Sequence, residues 1–158
     1  MQTDKDSLRR FLLAQIQVRG EWVHLDQSWQ QLNASTDYPN YVQQVFGEAV
    51  AAACLLSATL KFKGKLVLQI NGQASGKQSD GAAYLLLIQV TSAGTLRGLV
   101  RWQKEKQTAV EQAKSLTSLF GEKAQLVITI DPTDQSERYQ GVTALTGDCL
   151  ADALDDYF

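Results

Sequence analysis

The arginines of this chain offer the one grouping of side chains that suggests a ligand. Arg97 and Arg101 are four residues apart in an alternating segment, so they share one face of a predicted strand. Arg138 lies on another predicted strand. Guanidinium groups bind anions well, so a small-molecule or anion-binding domain or enzyme is the alternative function to be tested. No nucleophile or acid–base pair accompanies them, and exposed arginines paired with acids are the simpler interpretation.

Nucleophilic and metal chemistry find little support elsewhere. His24 is the only histidine, Ser28 follows it in a polar stretch, and nothing resembles a nucleophile elbow. A zinc site needs about four closely spaced ligands, whereas Cys54, Cys149 and His24 are scattered. We therefore predict no catalytic residue, no metal site and no bound cofactor in this chain, with both cysteines as free thiols.

Two further patterns are weaker than they first look. Residues 72–79 place Gly72, Gly76 and Lys77 in a loop, but the glycines are too close for a phosphate-binding loop and Gln follows the lysine. A strand, rather than a helix, is predicted to follow. Asp131 and Asp134 lie in a turn with Pro132, where solvated charges are the ordinary outcome.

Composition limits the class of protein. The chain has 158 residues, 44% of them hydrophobic and 20% charged, which predicts one folded domain over residues 1–158 rather than disorder. The net charge of −2 argues against a nucleic-acid surface. The N-terminus has no apolar signal region and the longest apolar run looks too short for a bilayer. We expect a cytoplasmic protein with neither nucleic acid nor membrane as partner.

A long apolar segment from Pro39 to Leu60 must organise the fold. From Val50 it reads VAAACLLSATL, almost without polar side chains, and a helix that is apolar all round has to be enclosed. Proline is favourable at the start of a helix. We also expect the three tryptophans to pack mainly in the core (Trp22, Trp29 and Trp102).

Strand patterns surround this helix on both sides in the sequence. Alternation after Lys61 predicts strands, and the link at residues 92–94 predicts an antiparallel hairpin. The predicted class is α+β, with antiparallel strands wrapped around the long apolar helix and an amphipathic C-terminal helix. The strands are residues 65–71, 83–91, 96–103, 125–130 and 138–145; residues 16–25 form strand structure broken near Gly20; residues 7–14 are a short helix or the start of a strand; residues 26–32, 116–120 and 148–158 are helical.

An ordered set of short motifs is similar to one known family. The set comprises Val18-Arg19-Gly20-Glu21, Asp37-Tyr38-Pro39, residues 58–62 running into residues 66–69, Arg97-Gly98, residues 137–142, Gly147-Asp148, Leu150-Ala151 and Asp156-Tyr157-Phe158. In this order and spacing the motifs resemble the N-terminal domain of the bacterial heat-shock protein 33 family. The resemblance spans nearly the whole chain, and it is the ordered set, rather than any one motif, that is specific.

The resemblance implies a cytoplasmic, ATP-independent, redox-regulated holdase chaperone that binds unfolding proteins under oxidative or heat stress. In the family, a C-terminal module binds zinc through Cys-x-Cys and Cys-x-x-Cys motifs, and oxidation to disulfides releases the zinc. This sequence has neither motif, so no zinc ligand or redox cysteine carries over to Cys54 or Cys149. We expect the chain to be a fragment of a longer protein that carries the switch.

The resemblance also directs attention to apolar surfaces. A client would bind a sheet face, and alternation leaves two candidates open: Leu66, Leu68 and Ile70, or Leu85 and Leu87. The family forms homodimers by exchanging C-terminal elements, so residues 147–158 are expected to dock on a second copy. The candidate dimer contacts are Leu150, Leu154, Tyr157 and Phe158.

Overall fold

The computed structural model describes residues 5–61, 63–72, 81–134 and 137–158. The described residues form an α+β arrangement, as predicted. The glycine-containing loop considered above falls largely outside these residues. The elements are β1 (Ser7–Leu13), β2 (Val18–His24), α1 (Gln27–Asn33), α2 (Asn40–Thr59), β3 (Gly64–Asn71), β4 (Ala83–Thr91), β5 (Leu96–Trp102), a 3-10 turn (Lys104–Lys106), α3 (Gln107–Gln112), α4 (Leu116–Phe120), β6 (Gln125–Pro132), β7 (Tyr139–Ala144) and α5 (Leu150–Asp155).

The strands make two antiparallel sheets. β1 and β2 pair only with each other, and the other strands form a five-stranded sheet in the order β5-β4-β3-β6-β7. The predicted hairpin at residues 92–94 joins β4 to β5, with Leu87 opposite Leu99. Each predicted strand of the large sheet is therefore confirmed, with ends that differ by one or two residues.

Helix α2 packs on one face of the five-stranded sheet. The contact is made by buried side chains of α2, including Val42, Phe46 and Val50, against Leu68 of β3 and Ile88 of β4. All five are fully buried. At about 1.5–3 kcal/mol for each large apolar side chain removed from water, this contact is the main source of stability.

The prediction that α2 is enclosed on all sides is not confirmed. Its fully buried residues stop at Ala53, and the following turns to Thr59 are only partly covered. The reason is that the large sheet lies on one side, and the β1–β2 hairpin contacts α2 without completing a wrap. By length and composition α2 also reaches the threshold for a membrane span, unlike the expectation above, although its packing is that of a core helix.

The chain segment before α2 is tied to the edge of the sheet. Tyr38 is buried, and its hydroxyl oxygen accepts a hydrogen bond of 3.0 Å from the backbone N–H of Val100 in edge strand β5. Its ring meets Phe46 edge-on, with centroids 5.3 Å apart. Pro39 is the N-cap residue, so α2 begins at Asn40, one residue after the predicted first position. The Tyr38-Pro39 pair thus fixes where α2 begins.

Residues 7–13 form a strand, which confirms one of the two alternatives predicted for residues 7–14. Two other local predictions need correction. β2 runs through Gly20 without a break, and the Phe11 ring on β1 lies where a Gly20 side chain would stand. The polar segment after β5 contains α3, which polar composition concealed. Only Val110 of that helix is buried.

Candidate functional site

The structure separates the two predicted client surfaces onto opposite faces of the sheet. Leu66, Leu68 and Ile70 point toward α2 and are buried, with 2% or less of each exposed. Alternation along β3 put these three on the same side as the helix, so they are core residues and are not available to a partner in this fold. Leu85 and Leu87 lie on the other face and are partly exposed.

We call that other face the open sheet face. Its apolar side chains lie in cross-strand rows with polar ones, as in the row Leu99, Leu87, Gln69, Val127 and Val142. Its polar groups are paired within the face: the Gln140 amide donates to the Thr129 hydroxyl at 2.9 Å, and Arg97 donates to Gln89 at 2.8 Å. The face is therefore a mixed surface of aliphatic and amide groups.

A second apolar surface lies on the β1–β2 hairpin. Phe11 and Leu13 of β1 share one face with Val18 and Trp22 of β2, and each is about half exposed (47%, 49%, 47% and 48%). We define the outer hairpin face as Arg9, Phe11, Leu13, Val18, Gly20 and Trp22. Soluble proteins expose single apolar residues commonly, but a contiguous group such as this marks an interaction surface.

The outer hairpin face also carries positive charge. The guanidinium carbon of Arg9 lies 5.9 Å from the Trp22 ring centroid, within cation–π range. His24, two residues further along β2 on the same face, stacks with Trp22, with ring centroids 5.8 Å apart. Within the described part of the chain, Arg9 has no carboxylate within salt-bridge distance. Arg19 pairs with Leu12 and lies on the opposite face of the hairpin.

The opposite side of the hairpin anchors it to α2. Arg10 Nε donates to the Glu21 carboxylate at 2.9 Å, and Arg10 Nη2, which is also 2.9 Å from that carboxylate, donates to the carbonyl of Ala58 at 3.0 Å. The carbonyls of the last turn of a helix lack partners within the helix and attract cations. Glu21 has 13% of its side chain exposed, and its Oε2 has no hydrogen-bond partner among the described residues. Arg10 therefore compensates both groups.

Asp6 fixes the base of the hairpin to α1. Its carboxylate accepts hydrogen bonds from the backbone N–H groups of Asp26 (2.7 Å) and Ser28 (2.9 Å) and from the Ser28 hydroxyl. Burial acts to raise the pKa of the Asp6 carboxyl, but these hydrogen bonds outweigh it and lower the pKa below its ordinary value. The folded chain therefore stabilises the ionised form of the Asp6 carboxylate.

A cavity of about 460 Å³ lies between the hairpin and the end of α2. Leu8 and Val23, the inner counterparts of the outer hairpin face, line it together with Cys54. Burial, and secondarily the Asp6 charge, raises the pKa of the Cys54 thiol to about 11. Among the described residues no three His, Cys, Asp or Glu side chains come together as metal ligands. The surroundings of Cys54 favour an inert thiol.

The predicted dimer contacts pack mostly within their own chain. Leu150 is buried in the core, and Leu154 and Tyr157 are partly buried against it. The Tyr157 hydroxyl lies where a Cβ on Gly141 of β7 would stand. Only Phe158 is largely free, with 82% exposed. In this fold the C-terminal helix covers its own sheet, so exchange with a second copy would require α5 to leave it.

The arginine site is not assembled. Arg97 and Arg101 lie on edge strand β5, whereas Arg138 precedes β7 at the opposite edge. Four strand spacings of about 4.8 Å separate the two edges, roughly 19 Å. One anion cannot contact all three guanidinium groups, so the alternative function loses its proposed site.

Sequence reasoning missed the outer hairpin face. Trp22 is half exposed there rather than packed in the core, while Trp29 and Trp102 are partly buried against the core as predicted. A signal was present: residues 11–13 are all apolar, and Val18, Gly20 and Trp22 alternate with charged residues. The pattern gave no sign that one side of the hairpin would lack a covering layer.

Comparison with known proteins gives consistent matches. The family model described as Hsp33 protein matches residues 6–158. The curated 33 kDa chaperonins of Shewanella sediminis and Nitrosococcus oceani are 42% and 43% identical over 98% of this chain and 49% of their own length. That of Vibrio cholerae is 42% identical over 96% of the chain. The chain thus spans about half the length of these relatives.

A solved structure supports the fold. The crystal structure of the 33 kDa chaperonin (heat shock protein 33 homolog) from Thermotoga maritima superposes with a TM-score of 0.67. Its sequence is 20% identical to this chain, and the superposition covers 96% of this chain and 49% of the Thermotoga maritima chain. At this identity the likeness concerns the arrangement of helices and strands.

Proposed function

Because this chain belongs to the Hsp33 family, we propose that it is the client-holding domain of an ATP-independent holdase chaperone. Such a domain binds unfolding proteins and prevents their aggregation without catalysing a reaction. The observation that carries the proposal is the family match over residues 6–158, joined to two uncovered apolar surfaces on a folded core. Its relatives are named chaperonins, in keeping with binding rather than chemistry.

The proposed mechanism is apolar capture. Burying about 400 Å² of apolar surface yields about 10 kcal/mol before the losses of association are subtracted. Lost rigid-body freedom and ordering of the client offset much of this gain, which leaves reversible binding. Because the apolar contacts are non-directional, one surface accepts many sequences, and no nucleotide is needed to hold or release a client.

Two client surfaces were predicted from the sequence, and of these we propose the open sheet face. Leu85 and Leu87 stand on it, and the buried inner face supports it from beneath. In the longer protein we propose that a redox-controlled module covers this face and leaves it on oxidation. The described residues bring together no ligand set for zinc, so a zinc ion of that switch would be held by residues outside this chain.

Two further features of the family remain proposals for this chain. A cytoplasmic location fits a switch that senses oxidation in a reducing compartment. A homodimer would use Phe158, the exposed member of the predicted contact set, together with an α5 that has moved from its own sheet. Sedimentation at high micromolar concentration tests the dimer, and a strict monomer would rule it out.

The test of the proposed function is suppression of aggregation. A heat-denaturing client enzyme is incubated with the chain in reducing buffer without nucleotide, and light scattering is followed over time. We expect scattering to fall at near-equal molar amounts of the chain. Unchanged scattering with a chain that circular dichroism shows to be folded would reject constitutive holdase activity.

A pair of variants locates the effect on the open sheet face. Leu87→Asp places a charge among the aliphatic groups and should reduce suppression. Gln112→Asp lies at an exposed polar position on α3, outside this face, and should leave suppression unchanged. If both variants act alike, general surface charge rather than this face controls capture.

A further inference from the structure

We propose that the outer hairpin face is a second client-contact surface, selective for extended apolar segments that carry Asp or Glu. The inference rests on the proposed holdase function and adds to it a location and a chemical preference. It concerns a surface separate from the open sheet face, on a different sheet of the molecule.

The apolar part of the surface is suited to side chains of an unfolded segment. Phe11 and Trp22 present aromatic rings, and Leu13 and Val18 continue the surface toward the tip, where Ile16 is 66% exposed. Large aromatic groups contribute most to contact energy at interfaces. Nothing else in the described chain packs over this face.

The shape of the surface favours an extended partner. β1 and β2 pair with each other only, and no third strand joins them among the described residues. The unpaired edge of such a hairpin offers backbone N–H and C=O groups to an added strand. An extended client segment can then place alternate side chains on the outer hairpin face.

Charge supplies the selectivity. Residues 7–20 contain Arg9, Arg10 and Arg19 and no acidic residue. Arg10 and Arg19 lie on the opposite face of the hairpin, where Arg10 is engaged by Glu21 and the end of α2. Arg9 is the cation of the outer hairpin face, and no carboxylate of the described residues lies within salt-bridge distance of it. The chain as a whole carries a net charge of −2, so this positive region is local. A carboxylate that lies beside the apolar residues of a client segment would therefore be attracted to this surface and not repelled by it.

The test uses two labelled peptides of identical apolar residues, with Glu in one and Lys in the other at the interspersed positions. Binding to the chain is followed by fluorescence anisotropy. We expect the Glu peptide to bind roughly threefold more tightly, since one exposed charge pair contributes modestly. The variant Arg9→Glu should reverse the preference. Equal binding of the two peptides, or an unchanged preference in that variant, would overturn the proposal.

Matched variants separate this surface from other effects. Arg19→Glu changes an exposed arginine on the opposite face of the hairpin, beside Leu12, and should keep the preference for the Glu peptide. Phe11→Ser should weaken both peptides, and circular dichroism confirms that each variant is folded. Binding of phosphatidylglycerol vesicles without binding of either peptide would assign the surface to lipid and reject the proposal.

The proposal and the holdase function fail in different ways. Light scattering of a denaturing client is measured with the same proteins. Suppression that persists while the peptide preference is absent rejects only the outer hairpin face. A folded wild-type chain that suppresses no aggregation rejects the holdase function itself.

Discussion

The open sheet face and the outer hairpin face are both built from alternating strands, yet they are supported very differently. Beneath the open sheet face lie Leu66, Leu68 and Ile70, fully packed against α2. Beneath the outer hairpin face lie a cavity of about 460 Å³ and the contacts of Arg10. The same alternating pattern thus gives a surface backed by a packed core on the large sheet and a surface backed by few contacts on the hairpin.

The difference matters for how each surface can be used. The open sheet face keeps its geometry because a packed core lies beneath it, so whether a client can bind depends on what covers the face. A hairpin held by few contacts opens at lower free energy than the core does, which lets it adapt to a bound segment. The predictions below test this contrast, beginning with the largest expected effect.

Truncating a buried leucine of the large sheet should cost much more stability than truncating an outward-facing one. Leu68→Ala removes a fully buried side chain beneath α2 and should lower the free energy of unfolding by about 2–5 kcal/mol. Leu87→Ala, on the open sheet face, should lower it by about 1 kcal/mol or less. Urea unfolding of both variants measures the difference, and similar losses would contradict the assignment of the two faces.

Removing Arg10 should loosen the hairpin. Arg10→Met leaves the Glu21 carboxylate and the Ala58 carbonyl without their cation and should lower the free energy of unfolding by about 1–2 kcal/mol, less than for a buried pair because Arg10 is largely exposed. Hydrogen exchange of residues 7–24 should rise more than that of β3.

Arg19→Met is the matched control on the same hairpin. Arg19 is exposed and has no carboxylate partner among the described residues, so its loss should change stability by less than about 0.5 kcal/mol. If the two variants are equally stable, the Arg10 contacts do not anchor the hairpin.

A smaller effect should reveal the contact between Phe11 and Gly20. A Cβ at Gly20 would lie 2.1 Å from the Phe11 ring, so Gly20→Ala must displace that ring. In a Phe11→Ala background the ring is gone, and Gly20→Ala should stabilise the strand by about 0.5–1 kcal/mol. The coupling between the two sites, measured by a double-mutant cycle, is expected to be about 1 kcal/mol. Additive effects would mean that the ring does not cover Gly20.

The last predicted effect, which is absent near neutral pH, is a pH dependence of stability that comes from Cys54. The pKa of this thiol is about 11 in the folded chain against an ordinary value of 9.0, so the unfolded state releases its proton first as pH rises. Stability should therefore fall between about pH 9 and 11. Cys54→Ala should show a shallower fall over that range, and identical slopes would contradict the raised pKa. Modification of Cys54 by a thiol reagent at pH 8 should be slow until the chain unfolds.

Strands of the large sheet were predictable because each carries a local, two-residue period. β4 and α4 matched their predicted bounds, and Asp37-Tyr38-Pro39 marked the start of α2. Which face of β4 is buried was not predictable, since Leu87 on one side and Ile88 on the other are both apolar. That choice depends on where α2 packs, which is a non-local property.

The surfaces were harder to predict than the elements. A tryptophan is buried in most proteins, so Trp22 was expected in the core. Whether it is buried depends on another element covering it, and the alternation of residues along a strand does not show whether such an element exists. Arg138 seemed close to Arg97 in the order of strands along the chain. Within the sheet, β4, β3 and β6 lie between β5 and β7, so the two arginines are at opposite edges.

Photo-crosslinking tests the central claim most directly. A benzoylphenylalanine is placed singly at Phe11, at Leu87 or at the exposed helix position Gln44, and each folded chain is irradiated with a denaturing client. The two-surface account predicts client adducts from positions 11 and 87 and few from position 44. Equal adducts from all three positions, or none from either apolar surface, would contradict it.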